Sequence, residues 1–273
     1  MPELPEVETI RRDLAEQVIG LTISAIQVLD DRVIRNCSAR QFCRQCLGKT
    51  ITTVTRRGKA IVIQFSPPGY AIIQPMMTGH LVYDPVGEKV TDRDTKIVFT
   101  LSNQSRLNYN DQRLFGRIQY VDDLKKIEFF RHIGPEPLEK EFTVDWLKLN
   151  LEKRSGPIKS LLMNQHFIAG IGNIYASEIL FRSRISPRRS ARRLKREEIA
   201  LLHRATVDIL KEAVSLRGTS MRNYRDLSGT KGNFMNRIKV YGREQEKCLQ
   251  CKTPITKIVQ AGRSTFYCKR CQR

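Results

Sequence analysis

The chain has 273 residues, of which 40% are hydrophobic and 28% charged, and its formal net charge is +20. This composition is too apolar for a disordered chain and too charged for a membrane protein, so it indicates a soluble globular protein with room for two domains. Since no apolar run approaches the roughly 20 residues that span a bilayer and the N-terminus lacks a signal-peptide pattern, we expect neither export nor membrane insertion.

The positive charge is distributed unevenly along the chain. Residues 1–134 hold 19 basic and 15 acidic side chains, whereas residues 135–273 hold 29 and 13. A basic excess of this size favours a polyanionic partner such as nucleic acid, with most of the phosphate-facing surface in the C-terminal half. The seven cysteines are an odd number, which argues against a complete disulfide framework and favours a reducing cytoplasm.

A helix followed by several strands is predicted for the N-terminal half. Apolar side chains recur at helical spacing between Glu6 and Val18, and Gly20 ends this pattern. From Leu21 to about Phe130 the pattern changes to short strands separated by turns, which is typical of a β-sandwich or a barrel. The strand candidates are residues 22–29, 51–54, 60–65, 70–73, 96–101 and 116–121.

Helical periodicity dominates beyond a break at residues 133–137, which contain Gly134 and two prolines. The helix candidates are residues 146–151, 158–164, 174–181 and 197–216. A glycine-rich turn at residues 169–173 connects the middle pair into a helix-turn-helix-like unit, and its backbone N–H groups could bind a phosphate. Such a turn also serves ordinary tight packing, so the residues alone leave both interpretations open.

Four cysteines near the C-terminus form two close pairs, Cys248 with Cys251 and Cys268 with Cys271. Two Cys-x-x-Cys pairs separated by sixteen residues match the ligand spacing of a tetrahedral zinc ribbon, and the intervening segment has the β-propensity of a hairpin. Because all ligands would be cysteines, the site leaves no open position for water. We therefore predict one structural Zn²⁺ ion rather than a catalytic one.

The N-terminus carries residues suited to amine chemistry. Pro2 follows the initiator Met, and a small second residue usually allows that Met to be removed. The resulting secondary amine would be partly neutral at cellular pH and could attack a sugar C1′ to give an iminium, which acidifies the C2′ proton. Glu3 could act as a general acid or base. The alternative is a proline at the start of a helix whose acidic neighbours complement the helix dipole.

Motifs along the whole chain resemble those of bacterial formamidopyrimidine-DNA glycosylases. These motifs are residues 1–9 (MPELPEVET), 134–138 (GPEPL), 172–178 (GNIYASE) and 263–268 (RSTFYC). The resemblance implies an α+β multidomain protein, with an N-terminal helix plus β-sandwich domain and a C-terminal helix-two-turn-helix domain with a four-cysteine zinc-finger β-hairpin. It also implies excision of oxidised purines, such as 8-oxoguanine and formamidopyrimidines, followed by strand cleavage through β- and δ-elimination.

The resemblance assigns roles to individual residues. Pro2 matches the Schiff-base nucleophile and Glu3 the catalytic acid, while Lys59 matches a lysine of β-elimination and phosphate contact. Arg263 matches an arginine of δ-elimination and DNA contact, and Asn173 matches a phosphate-binding asparagine. These matches favour the catalytic interpretation of the N-terminus and the phosphate interpretation of the glycine-rich turn.

Further matches concern the DNA duplex, from which the damaged base must be flipped. The side chains expected to fill the resulting void are Met77, Arg113 and Phe115. The further DNA contacts are expected at Lys96, Arg113, Arg154 and Lys159. Residues 228–233 resemble the loop that covers the flipped base.

The resemblance also indicates domain boundaries, partners and departures from the family pattern. We expect domains at residues 1–134, 135–240 and 241–273, in a monomer that binds damaged double-stranded DNA in the bacterial cytoplasm. Gln74 and Leu114 stand where many members have cations or histidine, and Arg217-Gly218 replaces a common Gly-Gly. None of these departures affects the nucleophile or the zinc ligands, so we expect activity to survive, with lesion preference less certain.

Three competing functions remain open. The endonuclease VIII branch of the same superfamily favours oxidised pyrimidines, but Leu4 stands where that branch typically has Gly. A zinc-ribbon protein could recognise damage without chemistry and would not need a free Pro2. A basic architectural protein, binding through residues 182–196 alone, would be indifferent to the lesion and fully screened by salt.

Overall fold

The computed structural model describes residues 1–87, 92–220, 224 and 226–273. These residues form two compact units. The first contains residues 1–132 together with the returning segment 217–233, and the second contains residues 133–216 and 234–273. The return of segment 217–233 to the first unit is not evident from the sequence, and the three-domain division remains a prediction.

Helix α1 (Leu4–Val18) begins two residues before the predicted start. Pro5 lies in its first turn, where the missing N–H of a proline leaves no intrahelical bond unmade. Its apolar side chains, which are Val7, Ile10, Leu14 and Val18, are at most 1% exposed and pack into the core of the first unit. The helix ends at Ile19, whose backbone is extended. Gly20, at φ +86°, then permits a tight turn in which the N–H of Leu21 donates to the carbonyl of Val18 at 3.1 Å.

Eight antiparallel strands form two four-stranded sheets, in the orders β1-β6-β7-β5 and β2-β3-β4-β8. The strands are β1 (Ile23–Val28), β2 (Thr50–Arg57), β3 (Ala60–Ser66), β4 (Tyr70–Gln74), β5 (His80–Asp84), β6 (Thr95–Leu101), β7 (Arg106–Asn110) and β8 (Arg117–Val121). Both sheets and α1 contribute side chains to one hydrophobic cluster. The predicted β-sandwich is therefore confirmed, and the alternative of a barrel is not.

Two helices interrupt the region that was predicted to contain only strands. Helix α2 (Ala39–Cys46) begins with a capping box in which Ser38 bonds the N–H of Gln41, and it buries Phe42 and Cys46. Helix α3 (Glu128–His132) buries no residue completely. Both helices are short and carry few apolar positions, so their periodicity is too weak to be recognised in the sequence.

The second unit contains four helices and a β-hairpin. The helices are α4 (Val144–Glu152), α5 (Ile158–Leu162), α6 (Asn173–Arg182) and α7 (Arg196–Ser215), close to the predicted positions. Helix α7 packs against α4 and α6. The hairpin pairs β9 (Thr256–Gln260) with β10 (Arg263–Tyr267) in antiparallel register. Among the described residues, no helix is both long and apolar enough to cross a membrane.

Candidate active site and zinc centre

The start of α1 brings two buried carboxyl groups next to Pro2. Glu3 is 4% exposed and Glu6 is 2% exposed, whereas Pro2 is half-buried. The backbone N–H of Glu3 donates to Glu6 Oε2 at 2.8 Å, which fixes the first turn of the helix. A secondary amine at Pro2 would thus adjoin an acid whose backbone position is fixed.

The returning segment 217–233 supplies the second contact to Glu6. The N–H of Thr219 donates to Glu6 Oε1 at 2.6 Å, so both carboxylate oxygens accept backbone hydrogen bonds. Gly218 permits this approach, because a Cβ atom there would lie 2.7 Å from Glu6 Oε1. No local pattern in the chain indicates this contact, since 213 residues separate its partners.

Lys59 lies in the β2–β3 turn at residues 58–59, which is bonded to α1. Arg56 Nε donates to Glu8 Oε2 at 3.3 Å, and Arg56 Nη1 donates to the carbonyl of Gly58 at 2.9 Å. Burial alone would raise the pKa of Glu8, but hydrogen bonds from Arg11 and its other arginine neighbours outweigh it and lower the pKa. An ionised Glu8 therefore holds the turn that carries Lys59 against α1.

The three predicted void-filling residues lie together on the surface of the first unit. Met77 and Phe115 are each 45% exposed, although both are large and apolar. Arg113 lies between them, with its guanidinium carbon 4.5 Å from the Phe115 ring centroid and Nη1 3.7 Å from the sulfur of Met77. Exposure of a contiguous apolar and cationic cluster is typical of a binding surface.

A buried aspartate that the sequence analysis missed organises the two loops of this cluster. Asp111 is fully buried, and its carboxylate accepts the hydroxyl of Thr78 at 2.5 Å and the N–H of Gly116 at 2.7 Å. The N–H of Arg113 also donates to Asp111, at 3.2 Å. One carboxylate thus fixes the loop that follows Met77 and the loop that carries Arg113 and Phe115.

Lys96, which was predicted to contact DNA, is turned inward. It is 8% exposed, and its ammonium donates to the carbonyl of Arg93 at 3.0 Å. Its own carbonyl accepts the N–H groups of Leu29 and Asp30, which tie β6 to the loop after β1. The DNA contact of Lys96 stays a prediction.

The side chain of Gln165 bonds the glycine-rich turn before α6 at two backbone positions. Gln165 accepts the N–H of Gly170 at 2.9 Å and donates to the carbonyl of Ile171 at 2.8 Å. Gly170 adopts φ +81°, which favours glycine. This turn leads directly into α6, whose first residue is the half-buried Asn173.

Lys159 and Asn173 together hold strand β10. Lys159 is 1% exposed, and its ammonium donates to Asn173 Oδ1 at 2.6 Å and to Thr265 Oγ1 at 2.7 Å. Asn173 Nδ2 in turn donates to the carbonyl of Ser264 at 2.9 Å. Lys159 was predicted to contact DNA, and its side chain is buried among these partners. There it fixes the backbone directly after Arg263.

The two other predicted cations of this unit are exposed. Arg154 lies in the loop between α4 and α5, and Arg263 follows the hairpin turn at residues 261–262. Arg263 therefore stands at the tip of the finger, one residue before the strand position that Lys159 and Asn173 hold.

The zinc ligands predicted from spacing converge in the structure. The sulfur atoms of Cys248, Cys251, Cys268 and Cys271 all lie within 4.8 Å of one another. The Cys248–Cys271 sulfur separation is 3.9 Å, close to the about 3.8 Å that tetrahedral Zn–S bonds of about 2.3 Å require. Hydrogen bonds from Thr253 lower the pKa of Cys251 to about 6, whereas burial raises the pKa values of Cys268 and Cys271. The donor set therefore fits one structural zinc ion.

A buried glutamate fixes the segment that leads into the finger. Glu178 accepts the N–H groups of Lys239, Val240 and Tyr241 at 2.8, 3.0 and 2.8 Å. Burial raises the pKa of Glu178, and the three N–H donors oppose this shift. The side chain lies on α6, so this helix holds the finger by its entry segment through Glu178 and by β10 through Asn173.

The structure fits a zinc-finger DNA glycosylase, with Pro2 beside the buried Glu3, an exposed cluster of Met77, Arg113 and Phe115, and four converging cysteines. Family models agree along the chain: the formamidopyrimidine-DNA glycosylase N-terminal domain matches residues 1–118, the H2TH domain of that glycosylase matches residues 133–225, and a zinc finger found in FPG and IleRS matches residues 245–273. The chain belongs to the formamidopyrimidine-DNA glycosylase family, as its motifs predicted.

Individual relatives are similar to this chain over nearly their whole length. The formamidopyrimidine-DNA glycosylase of Pelotomaculum thermopropionicum is 44% identical, covering 100% of this chain and 99% of the relative. A mutant Lactococcus lactis FPG bound to Fapy-dG-containing DNA is 32% identical with a TM-score of 0.93, covering 100% of both chains. The Lactococcus lactis Fpg bound to abasic-site DNA is 33% identical with a TM-score of 0.92, covering 99% of both.

Proposed function

We propose that this chain is a bifunctional DNA glycosylase and abasic-site lyase of base excision repair. It removes oxidised purines, 8-oxoguanine and formamidopyrimidines, from double-stranded DNA and then cleaves the strand by β- and δ-elimination. The observation that carries this proposal is Pro2 beside the buried Glu3, in a chain that matches this family over its whole length.

The chemistry starts at the Pro2 amine once Met1 is removed. The nitrogen attacks C1′ of the damaged nucleotide while the bond from C1′ to the base breaks, and Glu3 supplies a proton as the general acid. The nitrogen then loses its proton, O4′ gains one, and the C1′–O4′ bond breaks, which opens the sugar ring. The resulting iminium carries a positive charge on nitrogen, which acidifies C2′–H. Loss of this proton expels the 3′ phosphate, and a second elimination expels the 5′ phosphate.

Other residues assist through DNA phosphates and elimination. Lys59, on the turn held against α1, contacts a phosphate and assists β-elimination. Arg263 at the finger tip assists δ-elimination, Asn173 contacts a phosphate at the α6 N-terminus, and Arg154 adds an exposed cation. For Lys96 and Lys159, whose ammonium groups are turned inward, we propose indirect roles in positioning the DNA-binding surface.

Base flipping requires a side chain to occupy the vacated space. Met77, Arg113 and Phe115 form one exposed cluster on loops that Asp111 fixes, so they can enter the duplex without reorganising. Residues 228–233 cover the flipped base. The zinc ion, held by the four cysteines, supplies structural stability to the finger. We further propose that the protein is a monomer in the bacterial cytoplasm.

Borohydride trapping tests this function on a duplex that carries one 8-oxoguanine opposite cytosine. Reduction converts the iminium to a stable amine only if a protein amine has attacked C1′. A covalent protein–DNA band that maps to Pro2 is expected. Tight binding without a band would instead support a damage-binding protein, and a band only with oxidised pyrimidines would support the endonuclease VIII type.

A further inference from the structure

Arg217 joins the returning segment to α1 through two carboxylates. Its Nη2 lies 2.5 Å from Asp13 Oδ2 on α1 and 2.7 Å from Asp226 Oδ2, and its Nε donates to the same Asp226 oxygen at 3.0 Å. All three residues belong to the first unit. The guanidinium therefore bridges the helix that follows Glu3 to the segment that ends at residue 233.

Asp226 is the centre of a second set of bonds. It is 2% exposed, and its Oδ1 accepts the N–H of Thr230 at 2.7 Å, the N–H of Ser228 at 3.1 Å and the Ser228 hydroxyl at 2.8 Å. Its N–H donates to the carbonyl of Thr230 at 3.0 Å. One oxygen of Asp226 thus closes the turn at residues 226–230, while Arg217 holds the other.

The backbone at Arg217 is unfavourable for an arginine. Its φ is +61°, in the left-handed region that glycine adopts readily and other residues rarely do. An arginine in this conformation costs conformational free energy that glycine would not. The contacts of its side chain with two carboxylates offset this cost. Arg217 therefore stabilises the structure through its side chain, not through its backbone.

We propose that Arg217 is a positioning residue for base excision, which acts by ordering the 226–230 turn against α1 before DNA binds. The inference rests on the proposed function, in which the segment from residue 228 covers the flipped base. A turn that is already ordered loses less conformational entropy when it closes on the base. Because an abasic site has no base to cover, the bridge acts on base removal and not on the lyase step.

Arg217→Gly tests the proposal without straining the backbone, because glycine adopts this φ readily. We expect the single-turnover rate of 8-oxoguanine excision to fall about tenfold, while cleavage of a preformed abasic site stays within about twofold of wild type. We also expect faster hydrogen exchange at the amides of Ser228 and Thr230, which Asp226 now protects.

Arg184→Gly is the matched control. Arg184 has φ +60° and is exposed in the second unit, and within the described ranges its side chain forms no ion pair. The same substitution there should leave the excision rate and both amides unchanged. Asp13→Asn should reproduce part of the Arg217→Gly effect, and the double variant should be no worse than Arg217→Gly alone.

Two outcomes would overturn the proposal. Unchanged excision in Arg217→Gly would show that the bridge has no part in the reaction, and an equal fall in excision and lyase rates would place its effect on Glu6 or on the fold. The hydrogen-exchange measurement does not depend on catalytic activity. If the wild type neither excises nor traps, while Arg217→Gly still speeds exchange at Ser228 and Thr230, the proposed function fails and the bridge stands as a structural contact.

Discussion

Glu3 combines burial with a fixed backbone, which holds its carboxyl group in one position beside Pro2. It is 4% exposed, and its N–H is bonded to Glu6. Glu3→Gln keeps the shape but removes the acid. We expect 8-oxoguanine duplex binding within about threefold of wild type and base release slower by about 10³-fold. Single-turnover excision and binding titration measure the two effects, and base release at the wild-type rate would exclude Glu3 from the chemistry.

Lys159 is a buried charge that stabilises the finger through hydrogen bonds within the protein. Its ammonium holds Asn173 and the backbone beside Arg263, and it is 1% exposed. Lys159→Met leaves Asn173 Oδ1 and the Ser264 carbonyl without this donor. We expect the free energy of unfolding to fall by about 2–4 kcal/mol, as when one partner of a buried charged hydrogen bond is removed.

Thermal or denaturant unfolding measures this change. Lys153→Met is the matched control, because Lys153 is exposed at the end of α4 and should lose almost nothing. Equal losses in the two variants would mean that the hydrogen bonds of Lys159 do not stabilise the finger.

Residue roles of this kind were only partly predictable from the sequence. The zinc ligands were predictable because their chemistry depends on residue type and on close spacing, and the structure brings them together. The catalytic roles of Pro2 and Glu3 rest on the resemblance to the glycosylase family and stay predictions. The burial of Lys159, Asp111 and Asp226 was not predictable, because it results from contacts between residues that are distant in the sequence. The bond from Lys159 to Thr265, for example, spans 106 residues.

The finger is the element whose stability depends most directly on its metal. Its apolar cluster is small: Phe181, Val240, Cys248, Ile255, Phe266 and Cys268 are the buried members. A core of this size does not stabilise a hairpin by itself, so the metal contributes much of the folding free energy. The four cysteines are therefore both ligands and part of the core.

Cys251→Ala removes one ligand from this centre. We expect loss of bound zinc, an unfolded hairpin and at least about tenfold weaker duplex binding, because Arg263 loses its fixed position. Zinc content and duplex binding measure the effect. Cys43→Ala, at a half-buried thiol of α2, is the control and should retain both. Undiminished duplex binding by Cys251→Ala would show that the finger does not contribute to DNA affinity.

At the level of elements, periodicity was informative where a helix buries a long apolar face. Helices α1 and α7 repeat apolar residues over four turns or more, and both were predicted within a few residues. Helix α2 has eight residues and buries only Phe42 and Cys46, so nothing in its pattern distinguishes it from a loop between strands. Its capping box at Ser38 was the one available indication.

The whole molecule has a net charge of +20, and the surplus lies mainly after residue 134. Surface cations of the second unit, including Arg154 and Arg263, are exposed, whereas many acids are already paired with arginines. Unpaired cations displace counterions from DNA, which makes affinity depend on salt. The sequence predicted this polarity from composition alone, but only the structure distinguishes cations that face solvent from Lys96 and Lys159, which do not.

Salt dependence of undamaged-duplex binding therefore tests the electrostatic surface of the whole protein. If six to ten phosphates are neutralised, affinity should fall by about 10³–10⁵ between 50 and 200 mM salt. Arg263→Ala should reduce the slope of log K against log salt by about 1, because one phosphate contact is lost. Arg32→Ala is the control: Arg32 is exposed but bound to Asp30 through two nitrogens, so its removal should leave the slope unchanged. An equal change in both variants would mean that the slope reports total charge rather than contacts, and it would favour a basic architectural protein over one that holds its substrate at defined phosphates.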